Sequence, residues 1–104
     1  MLKDSYITDG TGMAGDGSSL DRLRIELIDT LQHITIENGW TQTQAAKIMD
    51  ISRSKLCKLF NGNFWVASEH KLLMCLLNAG YDIDIVIRRN TGSSGEVTIK
   101  KMSE

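Results

Sequence analysis

The feature that most constrains the fold is a pair of helix start signals that stand very close together near the middle of the chain. Thr41 can cap a helix while Gln44 reaches back to the cap residue, which completes a capping box. Ser52 can cap the next helix, and Asn61-Gly62 ends it. The sequence therefore predicts two short helices joined by a tight turn that follows Met49.

A longer helix is predicted on each side of this pair. The first runs from Ser18 to the stop at Gly39, and its apolar residues recur at steps of three and four: Leu20, Leu23, Leu27, Leu31 and Ile34. The last begins at Ser68 and ends at Gly80, with an apolar side made of Leu72, Leu73, Leu76 and Leu77. These positions suffice for one small helical core.

The period of the apolar residues changes to two after Gly80, which predicts a strand. Four of its residues share one face: Tyr81, Ile83, Ile85 and Ile87. Turn-forming residues occupy 90–95, and Val97 and Ile99 alternate again, so we expect a β-hairpin. The fold class is mainly α, with four to five helices and a C-terminal β-hairpin. We divide the chain into a flexible glycine-rich tail (1–17), a helical domain (18–80) and a C-terminal segment (81–104).

Composition argues against several classes of protein. With 104 residues the chain can form one small domain but not a large enclosed active site, so we do not expect an enzyme. No apolar run approaches the about 18 to 20 residues of a membrane span, and no apolar signal peptide is visible, so we expect a cytoplasmic protein. Cys57 and Cys75 are interpreted as small buried side chains, and His33 and His70 as surface residues, because none has the spacing of a metal or catalytic site. We expect no metal and no cofactor.

The charge of the chain is concentrated locally. The 12 basic and 13 acidic residues give a net charge of −1, which argues against indiscriminate coating of a polyanion. Residues 40–68 nevertheless carry four basic residues against Asp50 alone. The basic residues are Lys47, Arg53, Lys55 and Lys58. The middle of the chain can therefore make one focused contact with an anionic partner.

Three runs carry a family resemblance: WTQTQAA at 40–46, ISRSKL at 51–56 and LFNG at 59–62. Together they resemble the Xre/Cro family of helix-turn-helix regulators, which implies a lambda-repressor-like fold. Further residues resemble one subgroup, the HigA-type antitoxins: Phe64, Ser68, Lys71, Leu72, Leu76 and the run at 80–83. Asp50 departs from the family pattern because glycine is common at this turn position, although aspartate tolerates a left-handed backbone better than most residues.

The resemblance implies roles for individual residues. Gln42 matches a phosphate contact, and Asn61 matches a contact with the DNA backbone. Three residues match positions that face base edges: Arg53, Ser54 and Lys58.

Helix geometry supports the same assignments. Arg53 and Ser54 lie in the first turn of the second short helix, the end that enters a major groove, and Lys58 lies one turn later. Leu56 and Leu59 are expected to point inward. Donors near helix ends suit phosphate oxygens. We assign the DNA backbone to Thr41, Gln42, Ser52, Lys55, Asn61 and Asn63.

Small and aromatic residues around the helix pair are assigned to packing. Ala46 supplies the small side chain needed where two helices cross at a steep angle. Phe64 and Trp65 are interpreted as a hydrophobic plug between the last two helices rather than as a platform for stacking bases.

We predict from these observations a transcriptional regulator, with repression favoured, that binds a palindromic operator in double-stranded DNA as a homodimer. A dimer is expected because a lone hairpin is marginally stable and the strand at 81–87 presents an edge that requires a partner. The alternative is an antitoxin of a type II toxin-antitoxin pair, which neutralises a small RelE/HigB-like toxin and regulates its own operon. The hairpin or the first helix would then contact the toxin. Bound to DNA, the protein would be associated with the nucleoid.

Overall fold

The described part of the protein contains four helices. A computed structural model describes residues 18–92 and 94–101, so the predicted tail at 1–17 lies outside the described residues. The helices are α1 Ser18–Glu37, α2 Gln42–Met49, α3 Arg53–Phe60 and α4 Glu69–Asn78. The mainly helical prediction is confirmed. Among the described residues, no helix combines the length and the apolar character that crossing a bilayer requires.

The starts of the three shorter helices are set by side-chain caps. Thr41 Oγ1 accepts a hydrogen bond from the Gln44 backbone N–H at 3.1 Å, and Gln44 Oε1 accepts one from the Thr41 N–H at 2.9 Å. The predicted capping box is therefore present. Ser52 and Ser68 cap α3 and α4 in the same way, each hydroxyl accepting from a backbone N–H three residues later at 3.1 Å. Each cap satisfies a helix N–H that has no partner inside the helix.

The core is formed by apolar side chains from all four helices. The largest side chains with no significant exposure are Leu31, Met49, Leu56, Leu59, Leu72 and Cys75. Helix α2 packs against both α3 and α4, and Ala46 is buried as predicted for a small residue at a helix crossing. Burial also raises the pKa of the Cys75 thiol. Cys75 matches its prediction, whereas Cys57 is only half-buried.

The chain divides into two compact units. One is Arg24–Val86, which contains α2, α3, α4 and most of α1. The other takes in the residues before Arg24 and after Val86, of which 18–23, 87–92 and 94–101 are described. The helix pair and the loop that follows it therefore lie within a single unit.

The predicted C-terminal β-hairpin is not formed, since no strand is assigned to residues 81–92 or 94–101. Its turn chemistry is present, because Asn90 Oδ1 accepts from the Gly92 N–H at 2.7 Å and Asn90 Nδ2 donates to the Ser94 carbonyl at 3.3 Å. Ile85 and Ile87 are 77% and 91% exposed. A strand requires backbone hydrogen bonds to a second strand, and alternating apolar residues do not supply them.

Candidate nucleic-acid interface

The turn between α2 and α3 depends on a left-handed residue. Asp50 has φ 60° and ψ 50°, and it is the one residue other than glycine with positive φ in the part of the chain that the structure describes. The Ile51 N–H donates to the Ala46 carbonyl at 3.0 Å and closes the end of α2. The expectation that aspartate replaces the usual glycine here by adopting this conformation agrees with the observed geometry.

Helix α4 holds this turn through two side chains. Lys71 Nζ donates a hydrogen bond to the Asp50 carbonyl, and Asn78 Nδ2 donates one to the Met49 carbonyl at 3.0 Å. Both carbonyls belong to the end of α2, where helix C=O groups lack partners inside the helix. The two donors therefore fix the end of α2, and with it the start of the turn, against α4. Sequence reasoning missed both contacts, because no local pattern marks Lys71 or Asn78 as the partner of a carbonyl at the end of α2.

The predicted base-reading residues and the core residues of α3 lie on opposite sides of the helix. Arg53, Ser54 and Lys58 are exposed. Leu56 and Leu59 have no significant exposure and anchor the helix to the core. The buried leucines set which side of α3 faces solvent. The exposed side therefore offers three basic groups, those of Arg53, Lys55 and Lys58, and the Ser54 hydroxyl to an anionic ligand.

Most of the residues assigned to the DNA backbone are also accessible. Ser52 and Lys55 flank the first turn of α3 and are exposed, and so are Thr41, Asn61 and Asn63. Gln42 is the exception because it is half-buried at the start of α2. The hydroxyls of Thr41 and Ser52 accept hydrogen bonds from helix N–H groups. Each hydroxyl proton is still able to bind a phosphate oxygen, since a hydroxyl both donates and accepts. The DNA contacts of all these residues stay predictions.

A buried arginine supports the loop that follows α3, and sequence reasoning did not find it. Arg24 of α1 is 5% exposed and donates to the carbonyls of Phe64, at 3.0 Å, and Ala67. Its Nη2 lies 2.8 Å from Oε2 of Glu69. Its Nε has no hydrogen-bond partner in the described residues. In the sequence, Arg24 looks like a polar residue beside an apolar stripe, which gives no signal of burial.

The prediction of an aromatic plug is wrong for Trp65. Phe64 is half-buried, but Trp65 is 64% exposed and its ring centroid lies 4.2 Å from Cζ of Arg24. The guanidinium occupies the interior position, so the indole stacks on a cation instead of packing into the apolar core. The apolar character of tryptophan did not by itself reveal that Trp65 is exposed and stacks on Arg24.

An open groove of about 430 Å³ lies between α1 and the end of α3. Its lining combines Ile25, Ile28, Asp29 and Gln32 of α1 with residues 59–62 and Phe64. The described residues contain no group of three or more His, Cys, Asp or Glu side chains that could hold a metal ion.

Comparison with known proteins identifies the helix pair. A family model described as a helix-turn-helix domain matches residues 13–88, which is more than half of the chain. No significant match was found among curated proteins or among solved structures.

Proposed function

This chain belongs to a family of helix-turn-helix domains, and from that premise we propose that it is a sequence-specific transcriptional regulator that represses by binding a palindromic operator as a homodimer. It acts by binding and not as an enzyme. The observation that carries the proposal is the division of α3 into an exposed side with Arg53, Ser54 and Lys58 and a fully buried side with Leu56 and Leu59.

This division suits the docking of α3 in a major groove. In helix-turn-helix proteins the N-terminal residues of the second helix reach base edges. Arg53 is the first residue of α3, and an arginine can donate two parallel hydrogen bonds to O6 and N7 of guanine. Lys55 is suited to a phosphate, and no acidic residue lies between Asp50 and Glu69 to repel DNA.

The proposal of a homodimer rests on the C-terminal segment. Ile85 and Ile87 are strongly exposed apolar residues in a stretch whose alternation is typical of strands. A second copy can supply the missing strand and cover these residues. Two copies also double the DNA surface that is bound, which a lone module of this size needs for tight and specific binding.

The test is selection of binding sites from a library of random DNA duplexes, followed by footprinting. We expect enrichment of an inverted repeat whose half-sites lie about one helical turn apart. A triple variant, Arg53→Ala with Lys55→Ala and Lys58→Ala, is the control, because all three residues are exposed and their loss leaves the core intact. Equal selection by the variant, or no enrichment by either protein, refutes DNA reading by α3. A reporter gene placed behind the selected site then tests repression.

The second candidate function is that of an antitoxin, and the groove between α1 and the end of α3 favours it. Ile25 and Ile28 give the groove an apolar side, and Asp29, whose Oδ2 lies 3.4 Å from Nδ1 of His33, adds an acidic group. This composition suits a basic protein such as a small RNase-like toxin. We propose α1 as the toxin contact in that case, with the C-terminal segment as the alternative site.

Two variants separate the candidates when the chain is expressed together with the product of the neighbouring reading frame. Ile25→Glu places a charge in the groove and is expected to abolish rescue of growth from a toxin while leaving DNA binding unchanged. Arg53→Ala is expected to do the reverse. A neighbouring product that neither arrests growth nor co-purifies with this chain rules out the antitoxin role.

A further inference from the structure

Trp65 has the highest exposure of the aromatic side chains that the structure describes. It lies in the loop at 61–68 that joins α3 to α4. A single exposed apolar residue is common on protein surfaces and does not by itself indicate a function. Trp65 is distinguished by the contacts that fix its loop and one face of its ring.

The loop is fixed on both sides of the indole by one buried group. Arg24 donates to the carbonyl of Phe64, directly before Trp65, and to the carbonyl of Ala67, shortly after it. The same guanidinium covers one face of the ring, with Cζ 4.2 Å from the ring centroid. The remainder of the indole is open, since Trp65 keeps 64% of its surface exposed. An aromatic group ordered before binding loses little conformational entropy when a ligand covers it.

The charge around the loop selects the ligand. Residues 51–68 include Arg53, Lys55 and Lys58 and no acidic residue. Glu69, which follows directly, is already paired with Arg24. The exposed charged residues of this stretch are therefore all basic, which suits a polyanion. The loop also begins at the C-terminal end of the proposed recognition helix, and in homeodomain docking that end contacts the DNA backbone.

We propose that Trp65 binds the sugar-phosphate backbone of duplex DNA at the edge of each half-site. Its indole N–H donates to a phosphate oxygen and its ring packs on a deoxyribose, while Arg24 acts as a positioning residue that never touches DNA. The inference rests on the proposed DNA binding and extends it to an aromatic side chain of the loop that follows α3. A contact of this kind adds affinity without reading the base sequence.

The experiment uses the fluorescence of Trp65 in the full chain. The protein has two tryptophans, so Trp40→Phe leaves Trp65 as the sole indole reporter. A fluorescently labelled duplex, selected from a random library by the wild-type protein, is the probe, and its anisotropy reports binding independently. We expect binding to change the Trp65 emission and to protect the indole from quenching by acrylamide. Binding with unchanged emission and unchanged quenching refutes the contact but leaves the proposed function standing. No rise in anisotropy for either the wild type or Trp40→Phe refutes both.

Substitutions of Trp65 test the kind of contact. Trp65→Ala is expected to weaken binding to the selected duplex and to an unrelated duplex by the same factor, about tenfold. Trp65→Phe keeps a ring over Arg24 but loses the N–H, so its affinity for DNA should lie between those of the wild type and Trp65→Ala. Because Trp65 is exposed, thermal melts followed by circular dichroism should show little loss of stability in either variant. Unchanged affinity in Trp65→Ala refutes the contact, and a loss confined to the selected duplex shows base reading and overturns the backbone assignment.

Discussion

Nη2 of Arg24, on α1, lies 2.8 Å from Oε2 of Glu69, the first residue of α4. The arginine is buried and also binds two carbonyls of the loop before α4. Glu69 is therefore the acidic member of a hydrogen-bonded cluster that fixes the loop after the proposed recognition helix.

This cluster predicts a dependence of stability on pH. A hydrogen bond from its own backbone N–H, together with the Arg24 guanidinium, lowers the pKa of Glu69 from its ordinary value of 4.5. Because the folded-state pKa is the lower one, ionised Glu69 stabilises the fold above the unfolded-state pKa, and this stabilisation is lost as the pH falls through the folded-state pKa. Urea unfolding at neutral pH should show Glu69→Gln to be less stable than the wild type. The gap should close in acid below 4.5, and a gap that is independent of pH contradicts this.

The left-handed backbone of Asp50 predicts different effects on stability for two substitutions at this position. Asp50→Gly removes the cost of positive φ and should raise the free energy of unfolding by about 0.5 to 1 kcal/mol. Asp50→Asn tolerates the same backbone and should leave stability nearly unchanged. Both remove a carboxylate beside the proposed DNA surface, so both should bind the selected duplex more tightly. Thermal melts and binding titrations separate the two effects, and equal destabilisation of both variants would show that the carboxylate itself supports the turn.

Substitutions of two exposed basic residues of α3 are expected to weaken DNA binding in two different ways. Arg53→Ala should cost about 1 to 3 kcal/mol per half-site and relax the preference at one base pair. Lys55→Ala is the matched control, because a lost phosphate contact should weaken all sequences alike and lower the salt slope by about 1 per half-site. Affinities for operator variants at two salt concentrations decide between these roles. If Arg53→Ala weakens selected and random DNA equally, Arg53 contacts a phosphate and does not read a base.

The exposed C-terminal segment predicts a variant that changes association but not folding. Ile85→Lys should convert the proposed dimer to a monomer in light scattering. Its helical circular dichroism should stay unchanged, because a side chain that is 77% exposed contributes little to the core. Val86→Lys is the control from the other side of the alternation, with 72% exposure. Monomeric wild-type protein at tens of micromolar, or equal disruption by both lysines, contradicts the assigned face.

Local signals predicted the helices and the accessible side of α3. Thr41 and Ser52 cap their helices through backbone groups only three residues away, so the chain near each cap suffices to place a helix start. Helical periodicity likewise placed Leu56 and Leu59 in the core and left Arg53 outside. The strand prediction used equally good periodicity and was wrong, because a strand is completed by another strand.

The sequence by itself determined where α1 to α4 begin and end, since caps and apolar steps act between residues three or four positions apart. Only the tertiary structure decided that Arg24 is buried, that Trp65 is exposed and stacks on Arg24, and that Lys71 holds the turn at Asp50. These contacts join residues that lie 21 to 43 positions apart. A polar side chain carries no local mark of the distant carbonyl that will accept its proton, so its place is settled only when the helices pack.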